Sequence, residues 1–211
     1  IEKTGTRKNI CVIPNMIDPS FEYVPHNLSD DFIFSTVCNL NERKRVKELV
    51  EAFCKAFTKK ENVKLIIGGD GPEKDRIQEC IRKNDRVDQI VLLGRLDRKG
   101  TVELYNKANC FVLASAHETF GIVWREAMAT GLPVITSNHE GWSDDDWSDE
   151  FGIMVPVDNE ERLTIALKEM IDKYQSYDGK KIADYCNSHY SEKAIVKQLE
   201  SVFYKVKRVQ I

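Results

Sequence analysis

Two glutamates separated by seven residues, Glu118 and Glu126, flank the start of an expected helix in the run His-Glu-Thr-Phe-Gly-Ile-Val-Trp-Arg-Glu-Ala-Met-Ala-Thr-Gly-Leu-Pro-Val over 117–134. The apolar residues Cys110 to Leu113 upstream read as a buried strand, and Phe120 to Thr130 carries helix formers closed by Gly131 and Pro133. The loop between them leaves a strand's carboxyl end and feeds a helix N-terminus. There the first backbone N–H groups lack internal acceptors and the positive end of the dipole faces outward, which is where phosphates bind. Glu118 lies just before those amides, and Glu126 lies roughly 12 Å further along the axis if the segment is helical throughout. A diphosphate on the helix tip would leave a sugar near Glu118 and a ribose near Glu126, each carboxylate accepting hydroxyl hydrogen bonds. That chemistry suits a nucleoside diphosphate sugar. The same pair also reads as two solvated glutamates on a helix.

The elements that must position these residues follow a simple rhythm, in which short apolar runs alternate with amphipathic stretches, as in a parallel α/β sheet. Expected strands are Asn9 to Ile13, Phe32 to Val37, Lys64 to Gly68, Gln89 to Leu93, Cys110 to Leu113, Pro133 to Ser137 and Ile153 to Val155. Expected helices are Val46 to Thr58, Glu73 to Lys83, Gly100 to Lys107, Phe120 to Thr130, Asn159 to Tyr174, Lys180 to Asn187 and Glu192 to Arg208. Met16 to Asp30, with two prolines and few periodic apolar residues, reads as a connecting loop. At 211 residues the chain is long enough to bury a sizeable core, and one domain is expected, with 1–30 as connection and first strand and 188–211 as a terminal helix. Ligand sites in such sheets gather at the carboxyl ends of the strands.

Glu118, Phe120, Gly121, Glu126, Ala127, Met128, Ala129, Gly131, Pro133 and Val134 together resemble a motif of the retaining glycosyltransferases of the GT-B fold, family 4 or group 1. That motif is Glu, seven residues, Glu, with Phe-Gly after the first and Glu-Ala-Met-Ala-x-Gly-x-Pro-Val at the second. The resemblance extends from Val12-Ile13-Pro14-Asn15-Met16-Ile17-Asp18, similar to the family's Val-Ile-Pro-Asn-Gly-Val-Asp, to the terminal helices. It implies a Rossmann-like, doubly wound parallel sheet with helices on both faces, the C-terminal half of a GT-B enzyme. It also implies a nucleotide sugar as donor and no metal or other cofactor. The implied partners are an N-terminal Rossmann-like domain and an acceptor sugar, glycan or lipid-linked glycan, and the isolated half is expected to transfer weakly or not at all. Glu118 and Lys44 take the catalytic positions, Glu126 the ribose contact, and Phe120, Gly121, Ile122 and Val123 the phosphate-binding amides. His117 is placed to approach the sugar or to orient the loop by a hydrogen bond.

Other loops resemble the family less closely. Cys38-Asn39-Leu40-Asn41-Glu42-Arg43-Lys44-Arg45 stands where the family has Gly-Arg-Leu-x-x-x-Lys-Gly, whose Arg and Lys hold the donor diphosphate. Lys44 matches, but Asn39 replaces the arginine and offers only a neutral hydrogen bond. Either Arg43 or Arg45 could swing in to restore the charge, or all three cations are solvated on a helix's first turn. Gly68-Gly69-Asp70-Gly71-Pro72 fails the Gly-x-Gly-x-x-Gly fingerprint, since Lys74 holds the third glycine position, and reads as a turn whose Gly69 lines the nucleotide pocket. Leu96, in Gly94-Arg95-Leu96-Asp97, takes the family position whose backbone reads the base, and Arg95 is placed to stack on that base or to form a surface ion pair. Asn138 to Asp144 keeps only Gly141 of a sugar-facing Gly-Gly-x-x-Glu loop, with Glu140 and Asp144 altering the pocket wall. The acidic residues Asp145, Asp146, Asp149 and Glu150 read as a solvated loop more readily than as a hard-metal site.

A net charge of −3 with no basic excess excludes nucleic acid as an expected partner, and four dispersed histidines exclude a ligand-spaced zinc site. Six scattered cysteines without a close pair read as small core residues in a reducing compartment. With no membrane-length apolar run and no signal-peptide pattern at Ile1, these features point to the cytoplasm, with peripheral contact at the inner membrane face left open. Two rival readings remain on the same scaffold: a non-catalytic nucleotide-sugar-binding module, favoured by Cys38, Asn39 and Glu140, and a sugar-nucleotide epimerase or phosphorylase.

Overall fold

Phe32–Val37, β1, is the strand from which the sheet grows in both directions. A computed structural model describes residues 11–25, 30–138 and 147–209, with side chains to residue 204. After β1 come α1 (Val46–Ala56), β2 (Val63–Gly68), α2 (Lys74–Lys83), β3 (Ile90–Gly94), α3 (Arg98–Lys107) and β4 (Cys110–Leu113). The chain continues through α4 (Ile122–Ala129), β5 (Val134–Ser137), β6 (Gly152–Val155), α5 (Glu160–Lys173), α6 (Gly179–Tyr190) and α7 (Glu192–Val209). All neighbouring strands pair in parallel, in the order β3-β2-β1-β4-β5-β6. This is the doubly wound Rossmann order, with its reversal between β1 and β4.

Both faces of the sheet are covered, which is why β4 reads as an unbroken apolar run. Cys110 and Val112 point into one core with Phe34, Phe53, Leu65 and Leu167, while Phe111 and Leu113 point into the other with Tyr105, Trp124, Met128 and Ile182. Alternate residues of a strand face opposite sides, so each must be apolar when both sides are dry. Helices α1, α2 and α5 cover the first face, and α3, α4 and α6 cover the second. Caps mark several helix starts: Asp97, Asn159 and Asp178 each accept a hydrogen bond from a first-turn N–H.

The six strands from Phe32 onward lie within a residue of their expected limits. The strand expected over Asn9 to Ile13 does not form in its described part, Cys11 to Ile13, and its first residues lie outside the described ones. Instead the segment that follows is tied to the second core: Ile17 and Phe21 are buried there, and the Ile17 N–H donates to the Tyr190 carbonyl at 2.9 Å. Helix α4 begins at Ile122 rather than Phe120, because Gly121 sits at φ 67°, outside the helical region. Helix α6 runs on to Tyr190, past the Asn187 limit expected for it, and α7 starts at Glu192 as expected. Among the described residues no helix is long and apolar enough to cross a membrane.

Phe53 is the most informative single test of the first core. It is fully buried and packs edge-on against Phe57 at 5.2 Å and Phe34 at 6.4 Å between ring centres. Phe53→Ala is expected to cost about 3–5 kcal/mol in urea unfolding with an unchanged slope. A loss below about 1 kcal/mol would show that this face is loosely packed.

Candidate functional site

Loops leaving β1 and β4 emerge side by side at the point where strand order reverses, and the candidate residues lie on them. The β1 loop is folded tightly. Leu40 N–H donates to the Asp70 carbonyl at 2.9 Å, and Asn41 caps a single 3-10 turn over Glu42–Lys44 by accepting from the Lys44 N–H. Lys44 therefore projects from a capped turn of its own, ahead of α1, and not from the first turn of α1. Its side chain is only 12 % exposed and forms an ion pair with Glu118, itself 10 % exposed. The expectation of solvated charges fails for both groups.

Two further contacts join these loops. Ala116 N–H donates to the Arg43 carbonyl at 2.8 Å, and the Ser115 hydroxyl donates to Glu118 Oε1 at 3.1 Å. Ser115 is in turn anchored where its carbonyl accepts from the Ser137 hydroxyl at the end of β5, at 2.5 Å. Arg43 contributes its backbone and leaves its side chain exposed. Arg45 is held by an ion pair with Asp158 after β6. Neither arginine takes the place left by Asn39, which is exposed at the mouth of the crevice.

Gly121 sets how α4 meets the crevice. A Cβ there would lie 1.9 Å from the Trp124 ring, so both the positive φ and the space demand glycine. No side chain caps the helix, so the first N–H groups, those of Ile122 and Val123, have no side-chain acceptor. Phe120 adds side-chain packing at this point. It precedes the helix, its ring stacks under the Arg125 guanidinium at 4.1 Å and edge-on to Tyr190 at 5.8 Å, and its carbonyl accepts from Arg125. It shapes the loop as a packing residue.

Glu126 lies in the second turn of α4, about 6 Å along the axis from its first residue, because the helix starts four residues before it. The longer separation expected for a helix running back to Glu118 does not hold. Burial pushes the Glu126 carboxyl up to about 7, with Arg98 opposing and Asp18 reinforcing the shift. Ser20 donates twice to Asp18, through its hydroxyl and its N–H, and these bonds, with the weaker pull of Arg98 paired at 2.6 Å, hold the Asp18 carboxyl below its ordinary value. These two charges bring the N-terminal connection and the start of α3 to Glu126. Sequence reading quoted Asp18 within a resembling segment but gave neither residue a role.

The remaining candidates line a neighbouring cavity of about 370 Å³ walled by Val37, Cys38, Asn39, Gly69, Asp70, Arg95 and Leu96. Its floor is shaped by a close approach of backbones: a Cβ on Gly69 would lie 2.0 Å from the Cys38 carbonyl, and one on Gly68 would lie 2.6 Å from Leu96. Burial pushes the Cys38 thiol up to about 12, so it stays protonated. Arg95 is exposed at the rim, and His117 is exposed beside Glu118. Gly141, Glu140, Asp144, Asp145 and Asp146 lie outside the described residues; Asp149 and Glu150 open a separate 3-10 turn before β6.

Comparison with known proteins agrees with this geometry. The family model described as glycosyl transferases group 1 matches residues 22–185. The chain is 27 % identical to N-acetyl-alpha-D-glucosaminyl L-malate synthase of Bacillus anthracis, over 82 % of its own length and 45 % of that protein's. It is 32 % identical to an N-acetylgalactosaminyltransferase of Campylobacter jejuni that acts on a diphospho-undecaprenol-linked sugar by name, over 69 % of this chain and 38 % of that one. A TarM variant of S. aureus, crystallised with fondaparinux, alpha-GlcNAc-glycerol and UDP, superposes with a TM-score of 0.80 at 20 % identity, covering 96 % of this chain and 41 % of its own. The C-terminal domain of a group 1 glycosyl transferase from Francisella tularensis superposes with a TM-score of 0.68 at 20 % identity, over 76 % of this chain and 87 % of that domain. The chain thus spans less than half the length of the two curated relatives. With the family pattern matched over most of its length, on a doubly wound sheet whose reversal point carries Lys44, Glu118 and Glu126, the chain belongs to the group 1 glycosyl transferases.

Proposed function

We propose that the chain is the donor-binding domain of a retaining glycosyltransferase that takes a nucleoside diphosphate sugar. The observation that carries this reading is the convergence of Lys44, Glu118 and the uncapped start of α4 at the reversal of strand order. The diphosphate lies over the Ile122 and Val123 amides with Lys44 as its side-chain cation. The ribose hydroxyls donate to Glu126, and the base enters the cavity walled by Arg95 and Leu96. Glu118 receives hydroxyls of the sugar. As the sugar departs, negative charge grows on the diphosphate, and fixed amides with one lysine stabilise it without needing to reorganise. No metal is assigned to this step.

Completing the enzyme requires a second Rossmann-like domain that carries the acceptor, supplied by sequence the curated relatives have beyond the matched span. The acceptor is a sugar, glycan or lipid-linked glycan. Names of relatives favour transfer over mere binding, and so does the intact Lys44–Glu118 pair.

Calorimetry with UDP, GDP and ADP against their nucleosides tests the phosphate site: the best diphosphate is expected to bind far more tightly than its nucleoside, with or without a chelator. Lys44→Ala should weaken that diphosphate by about 1.5–3 kcal/mol, and Asn39→Arg should strengthen it. Equal binding of diphosphate and nucleoside would remove the site, and a requirement for magnesium would overturn the metal-free assignment.

Glu126 generates a prediction of opposite sign for stability. Its carboxyl is raised from 4.5 to about 7 in the fold, so the stability it contributes is fully present below pH 4.5 and is lost as pH rises through 7. Glu126→Gln should therefore stabilise the chain at pH 8 by about 1–2 kcal/mol, after allowing for solvent screening of a half-buried group, and by little at pH 4.5. The same variant should weaken nucleotide binding through the lost ribose contact. Thermal melts at both pH values check the first part; an equal shift at each would exclude titration of Glu126 as its cause.

A further inference from the structure

Lys44 is the cation assigned to the diphosphate, yet its ammonium is paired with Glu118. The pairing is built. Both side chains are largely removed from water, the Ser115 hydroxyl donates to the same Glu118 oxygen that pairs with Lys44, and the fully buried Ser115 is held by Ser137. The Ala116 to Arg43 hydrogen bond keeps the two loops in register beside it. A pair at this depth is harder to separate than an exposed one, and whatever occupies Lys44 must replace it.

We propose that Glu118 competes with the nucleotide's diphosphate for Lys44, so that the site holds bare nucleoside diphosphate weakly and a sugar-bearing donor more tightly. This rests on the proposed donor site and adds a selectivity to it. Sugar hydroxyls donate to the Glu118 carboxylate, satisfy its charge by hydrogen bonding and release Lys44 to the diphosphate. Once the sugar has left, Glu118 takes Lys44 back and the product diphosphate is expelled. Ser115 is a positioning residue in this scheme, acting only through Glu118.

The test is a double-mutant cycle by calorimetry on this chain, with whichever of UDP, GDP and ADP binds the unaltered protein best as the probe. Glu118→Gln, which keeps the shape and removes the charge, is expected to tighten the diphosphate by about 3–10-fold. In a Lys44→Ala background the same change should give no gain, since the competition is for Lys44. Ser115→Ala alone should tighten the diphosphate by about 2-fold and add nothing to Glu118→Gln. Circular dichroism and melting temperature establish that each variant is folded before it is titrated. If Lys44→Ala weakens the diphosphate while Glu118→Gln leaves it unchanged or weaker, the phosphate site stands and the competition is overturned. If Glu118→Gln tightens binding equally with and without Lys44, general electrostatic repulsion is responsible and the competition is again overturned. If Lys44→Ala itself changes nothing, the donor-site assignment falls.

Discussion

Where strand order reverses, the connections that follow two adjacent strands must part to opposite faces, and no loop can close over the gap between them. Here β1 is followed by α1 on one face and β4 by α4 on the other, so the carboxyl ends of both open into a shared crevice. Everything assigned to the site depends on that parting. Lys44 arrives on the β1 loop, Glu118 on the β4 loop, and their contact is possible because the strands beneath them are hydrogen-bonded neighbours, with Phe34 opposite Cys110. Gly121 completes the arrangement by turning the chain through the left-handed region, so that α4 starts at the crevice with Trp124 packed directly beneath.

Polar groups at such a crevice are held in states that cost stability. A half-buried carboxylate without a full counter-charge is strained toward its neutral form, as Glu126 is, with Arg98 shared between it and Asp18. Ser115, Ser137 and Thr136 are buried polar side chains at the strand ends, where an apolar core would take Val or Ala. Buried polar side chains away from this edge are spent on backbone contacts, as Arg86 and Gln89 are on carbonyls at and after the end of α1 and Asn109 is on the Ile33 N–H.

The strands and helices were legible because their signals are local: periodicity, glycine and proline stops, and a β4 run apolar on both faces. Local signals also placed Glu118 and Glu126 near one helix. Long-range geometry was not legible. Lys44 and Glu118 are 74 positions apart, and nothing in either segment states that they pair. Ser115 and Ser137 are ordinary serines until the register of β4 and β5 brings them together. The start of α4 was expected at Phe120 because helix propensity does not register the positive φ one residue later. The expected strand near Ile13 finds no ladder in its described part: Val12 is exposed, and the buried contact comes later, at Ile17 against Tyr190.

The glycine departures in the β1 loop become intelligible at this level. Arg45 stands where the family has glycine and adopts φ 54°, the left-handed conformation that explains the family's preference. A non-glycine residue there costs roughly 1–2 kcal/mol. The ion pair with Asp158, itself at φ 60°, offsets part of that cost and draws the guanidinium toward the β6 loop. Its charge is thereby committed to structure, which is why it does not replace the missing arginine at Asn39. Cys38 is a different case. The close backbone approach at this point is provided by Gly69, whose missing Cβ makes room for the Cys38 carbonyl, while the Cys38 side chain packs between the two cores. A side chain at 38 therefore does not close the crevice. Of the two departures from glycine, one redirects a charge and the other fills space already available, and Lys44 keeps its pairing with Glu118 at the crevice.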